Sequence, residues 1–306
     1  MSVHREAIQT AFGGPELISL VEAPVPSPGP GEVRVKVAAA GLNPVDWKLA
    51  AYPALAEMFG VTIPGGYGSD FSGIVDALGP DVTGFAVGDA VFGGARGHAV
   101  ADYTVVPTSA LLPVPEGLSL DDAATLPIAG ATAAAALAPL ALGPQDTVLI
   151  GGAAGGVGVL AVQLAAATGA TVVATGSPAN HDFLAGLGAL PVAYGDGLAD
   201  RVRGLTDRPV TAAVDLQGTA TVEAALALGV APERITAIAA GGDLPAGVIS
   251  TGGAAAAPGA LADVAARVAS GELRVEIAGR YPLDELPAAV ARLAEGHVRG
   301  KLIVVA

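Results

Sequence analysis

The stretch Val148-Leu-Ile-Gly-Gly-Ala-Ala-Gly-Gly-Val-Gly158 constrains this chain more than any other. An uncharged run, Thr147-Val-Leu-Ile150, enters it, and an Ala-rich helical segment from Gly158 to Thr168 leaves it. A strand that turns through glycines into a helix aims the free N–H groups of the first helical turn, and the positive end of the helix dipole, at whatever sits there. In that context a glycine fingerprint reads as a dinucleotide site. Gly155 lets the backbone approach a pyrophosphate, Gly156 and Val157 bring first-turn amides, and Gly158 lets the helix pack closely on the strand. Ala153 takes the place of the first glycine of G-x-G-x-x-G, a departure from the pattern.

The flanking sequence carries the same message. From Ser119, whose hydroxyl and following acids Asp121 and Asp122 mark a helix start, to about residue 250, apolar strands alternate with Ala-rich helices. Thr171–Thr175, Val210–Leu216 and Arg234–Ala239 are uniformly apolar or nearly so, the mark of a parallel sheet covered on both faces. This predicts an α/β, doubly wound domain. Residues 1 to about 117 read differently. Glu32-Val-Arg-Val-Lys-Val-Ala38 alternates polar and apolar, and Gly73–Leu78 and Asp89–Phe92 are further short strands between Gly, Pro and Asp turns. Gly68-Ser-Asp-Phe-Ser-Gly73 reads as a structural turn. After the small-residue linker Gly252–Gly259, a helix over Leu261–Ser270 and one near Asp284–Glu295 precede a last strand, Leu302–Val305, expected to return to the first domain.

Composition removes whole classes of chemistry. The 306 residues include no cysteine, which excludes disulfides, thiol catalysis and Cys-ligated zinc, and fits a reducing compartment such as the cytoplasm. A net charge of -14 argues against nucleic acid and anionic membranes as partners. Mean hydropathy is high, and Thr125–Leu142 is long enough to span a bilayer, but Pro127, Gly130 and Pro139 interrupt it and no Lys or Arg flanks it. No secretory leader is visible at the start of the chain. The four histidines, at 4, 98, 181 and 297, make no metal-binding spacing, so no metal site is expected.

The end of the second α/β strand bears on the cofactor. NAD sites place an acid there for the ribose 2′-OH, whereas here the strand runs into Thr175-Gly-Ser-Pro-Ala-Asn180. Ser177 and Asn180 can donate to a 2′-phosphate, which favours NADPH, although no basic residue is near in sequence.

Taken together, Gly31-Glu-Val-Arg-Val-Lys-Val37, Gly41-Leu-Asn-Pro-Val-Asp-Trp-Lys48, Pro64-Gly-Gly-Tyr-Gly-Ser-Asp-Phe-Ser-Gly-Ile-Val75, Val87–Phe92, Ala123–Pro127, the Ala153–Gly158 loop and His297-Val-Arg-Gly-Lys301 resemble the medium-chain dehydrogenase/reductase superfamily. The resemblance is to its zinc-free, zeta-crystallin-like quinone oxidoreductase branch. It implies a GroES-like β-barrel domain, 1–120 with 258–306, and a Rossmann domain, 121–257, with the site in the cleft between them. Zinc-dependent relatives carry Cys where Asn43 stands and Gly-His-Glu where Gly68-Ser69-Asp70 stands, so both ligand positions have lost the donors zinc prefers.

The resemblance also implies roles. Asn43 lines the nicotinamide end, its amide a neutral donor to a developing oxyanion, though before Pro44 it also suits an Asx turn. Thr132 lies near the carboxamide, Tyr194 packs by the 2′-phosphate, and Lys301 is a C-terminal basic residue close to cofactor. Asp46, Tyr52 and Tyr67 remain open as proton donors. The implied activity is NADPH-dependent hydride transfer to a small-molecule quinone, or to the activated C=C bond of an enone or enoyl thioester, in a homodimer. A dinucleotide-binding sensor without turnover is the reading from another class.

Overall fold

The computed structural model describes residues 2–239 and 244–305. Residues 1, 240–243 and 306, which the expected domain ranges take in, lie outside these. The chain divides into two compact units, Met1–Ile128 with Ile277–Ala306, and Ala129–Glu276.

The spine of the first unit is the strand Glu32–Leu42. Its alternation works as read: Val33, Val35 and Val37 are buried while Lys36 faces out, and they pack with Phe71, Val75, Val91 and Val106. Along one edge it pairs antiparallel with Asp70–Leu78. Along the other it pairs with Tyr103–Pro107 near its start and with Lys301–Val305 near its end. The register sets Gly41 opposite Asp70 and Leu42 opposite Leu302, so Asn43, Asp70 and Lys301 emerge at the ends of three adjacent strands. Gly68–Gly73, expected as a turn, leaves strand only at its start, where Gly68 sits at φ +83° and the chain bends at Ser69; strand begins at Asp70. Gly73 serves sheet packing instead, because a β-carbon there would lie 2.1 Å from the Lys36 carbonyl oxygen. A second, smaller sheet orders Ile18–Pro24, Val3–Gln9 and Gly65–Gly66, elements that the polar run His4-Arg5-Glu6 hides from a pattern search.

The second unit is a six-stranded parallel sheet: Leu190–Ala193, Thr171–Gly176, Thr147–Gly151, Ala212–Asp215, Ile235–Ala237 and Ile249–Ser250 in spatial order. Counted along the chain within this unit the order is 3-2-1-4-5-6, that of the Rossmann fold, with a topological switch point between Thr147–Gly151 and Ala212–Asp215. All five residues of Thr147–Gly151 are buried, as a central strand requires. Among the described residues no helix is long and apolar enough to cross a membrane; Thr125–Leu142 is largely the helix Leu126–Leu137 and a 3-10 turn, Ala138–Leu140.

Both unit boundaries fall later than the sequence suggests, and packing explains each. Helix Leu120–Ala124 stays with the first unit because Ala124 buries against Ala39 and Ile303, and its carbonyl oxygen would lie 2.1 Å from any β-carbon at Gly41. Helix Ala260–Ala269, expected with the first domain, lies with the second. Leu261 and Val264 approach Gly130 so closely that a β-carbon there would sit 3.2 Å from each. Gln163 then ties the following segment down, donating to the Arg274 carbonyl at 2.9 Å and accepting from the Arg274 N–H at 3.0 Å.

Candidate active site

The second unit builds its site from backbone. After Gly151 the chain turns at Gly152, at φ +69°, where the Gly152 N–H donates to Thr175 Oγ1 at 3.2 Å. The Gly155 N–H returns to the Gly152 carbonyl at 3.1 Å, and Gly155 caps the helix Gly156–Ala167. The first-turn amides, those of Gly156, Val157 and Gly158, have no intrahelical acceptor and are free for an anion. The glycines are not equivalent. A β-carbon at Gly158 would lie 2.3 Å from the Gly152 oxygen and 2.6 Å from the Ala153 backbone, so this position closes helix on strand. A β-carbon at Gly155 would meet only the Gly152 oxygen, at 3.4 Å, and otherwise points into open space. That space is a cradle a side chain would fill. Ala153 is fully buried, so the departure from the G-x-G-x-x-G pattern sits inside the packing.

Across the switch point, Asp215 ends its strand buried and accepts four backbone N–H groups: Gln217 and Gly218 on Oδ1 at 2.9 and 2.8 Å, Thr221 and Val222 on Oδ2 at 3.0 and 3.3 Å. It shapes the loop facing Gly152. Sequence reasoning passed it over, although an acid closing an apolar strand before Gln-Gly-Thr is a legible signal. At the end of Thr171–Gly176, Asn180 Nδ2 donates to Ser177 Oγ at 3.3 Å, and both residues are half-buried. Tyr194 is half exposed. Thr132 is buried on its helix, its hydroxyl beside Gly253.

The first unit builds its site from buried side chains. The strand register delivers Asn43, Asp70 and Lys301 together; Asp46 arrives because Asn43 caps the helix Pro44–Ala51 and Asp46 Oδ2 accepts the Asn43 N–H at 2.8 Å. Ser69 Oγ donates to Asp46 Oδ1 at 2.7 Å. Asn43 Nδ2 donates to Asp70 Oδ2 at 2.9 Å and to the Gly41 carbonyl at 3.4 Å. Lys301 Nζ donates to Asn43 Oδ1 at 2.5 Å. Both ends of the Asn43 side-chain amide are therefore engaged inside the cluster. Asp70 Oδ2 also accepts the Ile128 N–H at 3.1 Å, and Asp70 Oδ1 has no partner among the described residues.

Burial governs the charges. It pushes Asp70 up to about 7 against the pull of Lys301 and the Asn43 hydrogen bond. It raises Asp46, with Ser69 and the Asn43 N–H opposing. It lowers Lys301, with Asp70 and Asp46 opposing. Tyr67 is buried beside them, and burial, then the nearby Asp46, drives its phenol well above the usual range. Among the described residues the Tyr67 hydroxyl and Gln9 Oε1 lack partners, and Tyr67 and Gln9 line a cavity of about 20 Å³ with Asp46 and Ser69, room for one water. Tyr52 stands apart, half exposed at the end of its helix with its ring 6.2 Å from that of Trp47. So the structure groups Asn43, Asp46, Tyr67 and Lys301, adds Ser69 and Asp70, and leaves Tyr52 at the surface.

Comparison with known proteins matches residues 29–116 to the alcohol dehydrogenase GroES-like domain and residues 187–304 to the zinc-binding dehydrogenase model. A solved structure, the quinone oxidoreductase from Coxiella burnetii, superposes with a TM-score of 0.86 at 31% identity, covering 100% of both chains. A chloroplastic quinone-oxidoreductase homolog from Spinacia oleracea is 39% identical over 189 residues, 58% of this chain and 56% of that protein. Trans-enoyl reductase himH from Aspergillus japonicus is 38% identical over 174 residues, 51% of this chain and 50% of that protein. The matched region spans about half the length of each of these last two relatives.

Proposed function

The chain belongs to the medium-chain dehydrogenase/reductase family, on its quinone oxidoreductase branch, and from that premise we propose that it is a metal-independent, NADPH-dependent reductase of quinones, with conjugated enones or enoyl thioesters as the second acceptor class. The observation that carries the reading is the glycine loop at the switch point, closed at Gly158 and open at Gly155. Its free amides fit a pyrophosphate, so Gly155, Gly156, Val157 and Gly158 would hold the dinucleotide. Ser177 and Asn180, with no acid before them at the strand end, favour NADPH over NADH.

Zinc is the other group the matched models raise. The donors around Asn43 are an amide, a hydroxyl and two carboxylates, and an ammonium lies among them. Among the described residues no group of three or more His, Cys, Asp or Glu is placed to hold a metal. Zinc takes thiolate, imidazole and carboxylate in a tetrahedral set, and these residues do not fit it.

The bound nicotinamide supplies a hydride. What remains for the chain is to hold the acceptor oxygen as it gains charge and to deliver a proton. A quinone or enone suits a metal-free site, because conjugation spreads the charge onto an oxygen that hydrogen-bond donors can hold. Asp70, raised by burial to about 7, is a group able to carry a proton near neutrality, and burial raises Asp46 in the same direction. The enone alternative draws support from the likeness to himH.

The test is NADPH oxidation by the purified protein against quinones, enones and primary alcohols, with elemental analysis alongside. Quinone or enone turnover without stoichiometric zinc is expected. Chelator-sensitive alcohol oxidation would overturn the reading, and tight NADPH binding with no turnover on any acceptor would favour a sensor.

A further inference from the structure

The Lys301 side chain is 7% exposed, and the ion pair it makes among the described residues is a long one, 4.0 Å to Asp70 Oδ2. Its ammonium has three protons. Among the described residues one goes to Asn43 Oδ1, a neutral oxygen, and no other acceptor lies within hydrogen-bond reach. The nearest carboxylate oxygen, Asp70 Oδ2, is 4.0 Å away and already accepts from Asn43 Nδ2 and the Ile128 N–H. Asp70 therefore offsets the charge at the outer edge of ion-pair range and through Asn43, without a direct hydrogen bond to Lys301. Asn43 is locked by the same network, since both ends of its amide are used. The outcome is a buried cation with two donor directions unspent, anchored by a strand register that sets Leu302 opposite Leu42.

We propose that Lys301 is the fixed positive charge that holds the acceptor oxygen during reduction, the role a metal ion fills in zinc-binding dehydrogenases, and that Asn43 and Asp70 are its positioning residues. The ligand class is an oxyanion of the phenolate or enolate type. An ammonium needs no His or Cys, which accounts for the mismatch between this cluster and zinc. The proposal rests on the reductase reading and names the group that stabilises charge within it.

A stable oxyanion tests it without turnover. Binding of 4-nitrophenolate and of its neutral counterpart 4-nitroanisole is titrated in the presence of NADP⁺, for the wild-type chain and for Lys301→Met. The substitution should weaken phenolate binding by about 100-fold, the scale of losing one oxyanion donor, while nitroanisole and NADPH affinities stay within about twofold. In Lys301→Ala, added ethylammonium should restore phenolate binding. Phenolate affinity unchanged in Lys301→Met, or NADPH affinity lost in step with it, overturns the proposal, the second outcome making Lys301 a cofactor contact. Should Lys301→Met fail to fold, Lys301→Arg decides: the charge is kept, so phenolate binding within about tenfold of wild type supports the proposal, and its abolition with NADPH binding intact rejects it. The reductase reading fails on turnover with the acceptor panel, whereas this one fails on the phenolate titration.

Discussion

The two units solve the problem of holding charge in opposite ways. In Ala129–Glu276 the proposed anion site is backbone: amides of a glycine turn, a helix N-terminus, and no ionisable side chain in the loop itself. In the first unit it is side chain: two carboxylates, an ammonium, an amide and a phenol, all buried and set by strand register. Backbone dipoles do not titrate, so the first kind of site is indifferent to pH and intolerant of atoms. Buried side chains tolerate neighbours but move their protonation with every change around them. The contrast says which perturbation each site should feel.

Adding carbon should break the backbone site, and the two glycines separate folding from binding. Gly158→Val places a β-carbon 2.3 Å from the Gly152 oxygen, with backbone rather than a flexible side chain in the way. The expected loss exceeds about 3 kcal/mol, enough to remove the cooperative melt of the second unit. Gly155→Val meets nothing closer than 3.4 Å and sits at φ -78°, a conformation valine adopts freely. It should keep the melt and weaken NADPH binding by about 100-fold, roughly 2.7 kcal/mol. Equal melting losses for the two variants would show that the open side of the loop is misassigned.

Changing pH should instead move the first unit. Asp70 is raised from 3.8 to about 7 in the folded state. Between those values the native chain holds a proton the unfolded chain has released, so stability falls as pH rises from about 4 to about 7. Three units at about 1.4 kcal/mol each set a ceiling near 4 kcal/mol. Asp46, also raised, adds in the same direction. Asp102 and Asp146 are lowered, so their contribution is lost only below the usual carboxylate range. Urea denaturation across pH 4 to 8 should therefore show a decline in the wild type that is shallower in Asp70→Asn. Parallel profiles for the two proteins would remove Asp70 as its source.

How much of this could be read from the letters follows the same division. The glycine turn is legible because its cause is local: the residues that shape it lie within eleven consecutive positions, between a uniformly apolar strand and an Ala-rich helix. The doubly wound class follows from the alternation of such strands and helices, and the strand order is seen only in the structure. The cluster was legible only as scattered candidates. Asp46, Tyr52 and Tyr67 carry no ranking as proton donors in the sequence, Asn43 reads as a donor at the nicotinamide end, Asp70 lies in what reads as a turn, and Lys301 reads as a cofactor contact. Their meeting depends on Gly41 facing Asp70 and Leu42 facing Leu302, a pairing between segments about 30 and 260 positions apart that no local pattern encodes. The later unit boundaries have the same origin, since Ala124 and Val264 choose their sides by long-range packing.

A smaller effect sharpens the backbone side of the comparison. The Ser177–Asn180 turn offers neutral donors and no cation, so NADPH should be preferred to NADH by a modest margin. Ala179 is exposed within that turn. Ala179→Arg supplies the missing charge, and a charge-assisted contact contributes about 1.5–3 kcal/mol, so the NADPH to NADH ratio of kcat/KM should widen by about tenfold or more. A ratio that does not move would place the 2′-phosphate elsewhere.

The smallest effect tests how the side-chain site is packed. The Tyr67 hydroxyl is buried without a partner, whereas the Tyr52 ring is half in solvent. An unpaired buried hydroxyl costs about 1 kcal/mol or more, so Tyr67→Phe should stabilise the chain by about that amount. Tyr52→Phe should change stability by less than about 0.5 kcal/mol. The cavity of about 20 Å³ beside Tyr67 and Gln9 Oε1 offers the competing outcome. If a water there already satisfies the phenol, Tyr67→Phe strands the water's other partners and the sign reverses. Denaturant midpoints of the two variants decide between these, because the slopes should not differ for so small a change in buried surface. A destabilised Tyr67→Phe with an unchanged Tyr52→Phe would mean that water bridges Tyr67 to Asp46, and the phenol would then join the groups able to pass a proton through the cluster.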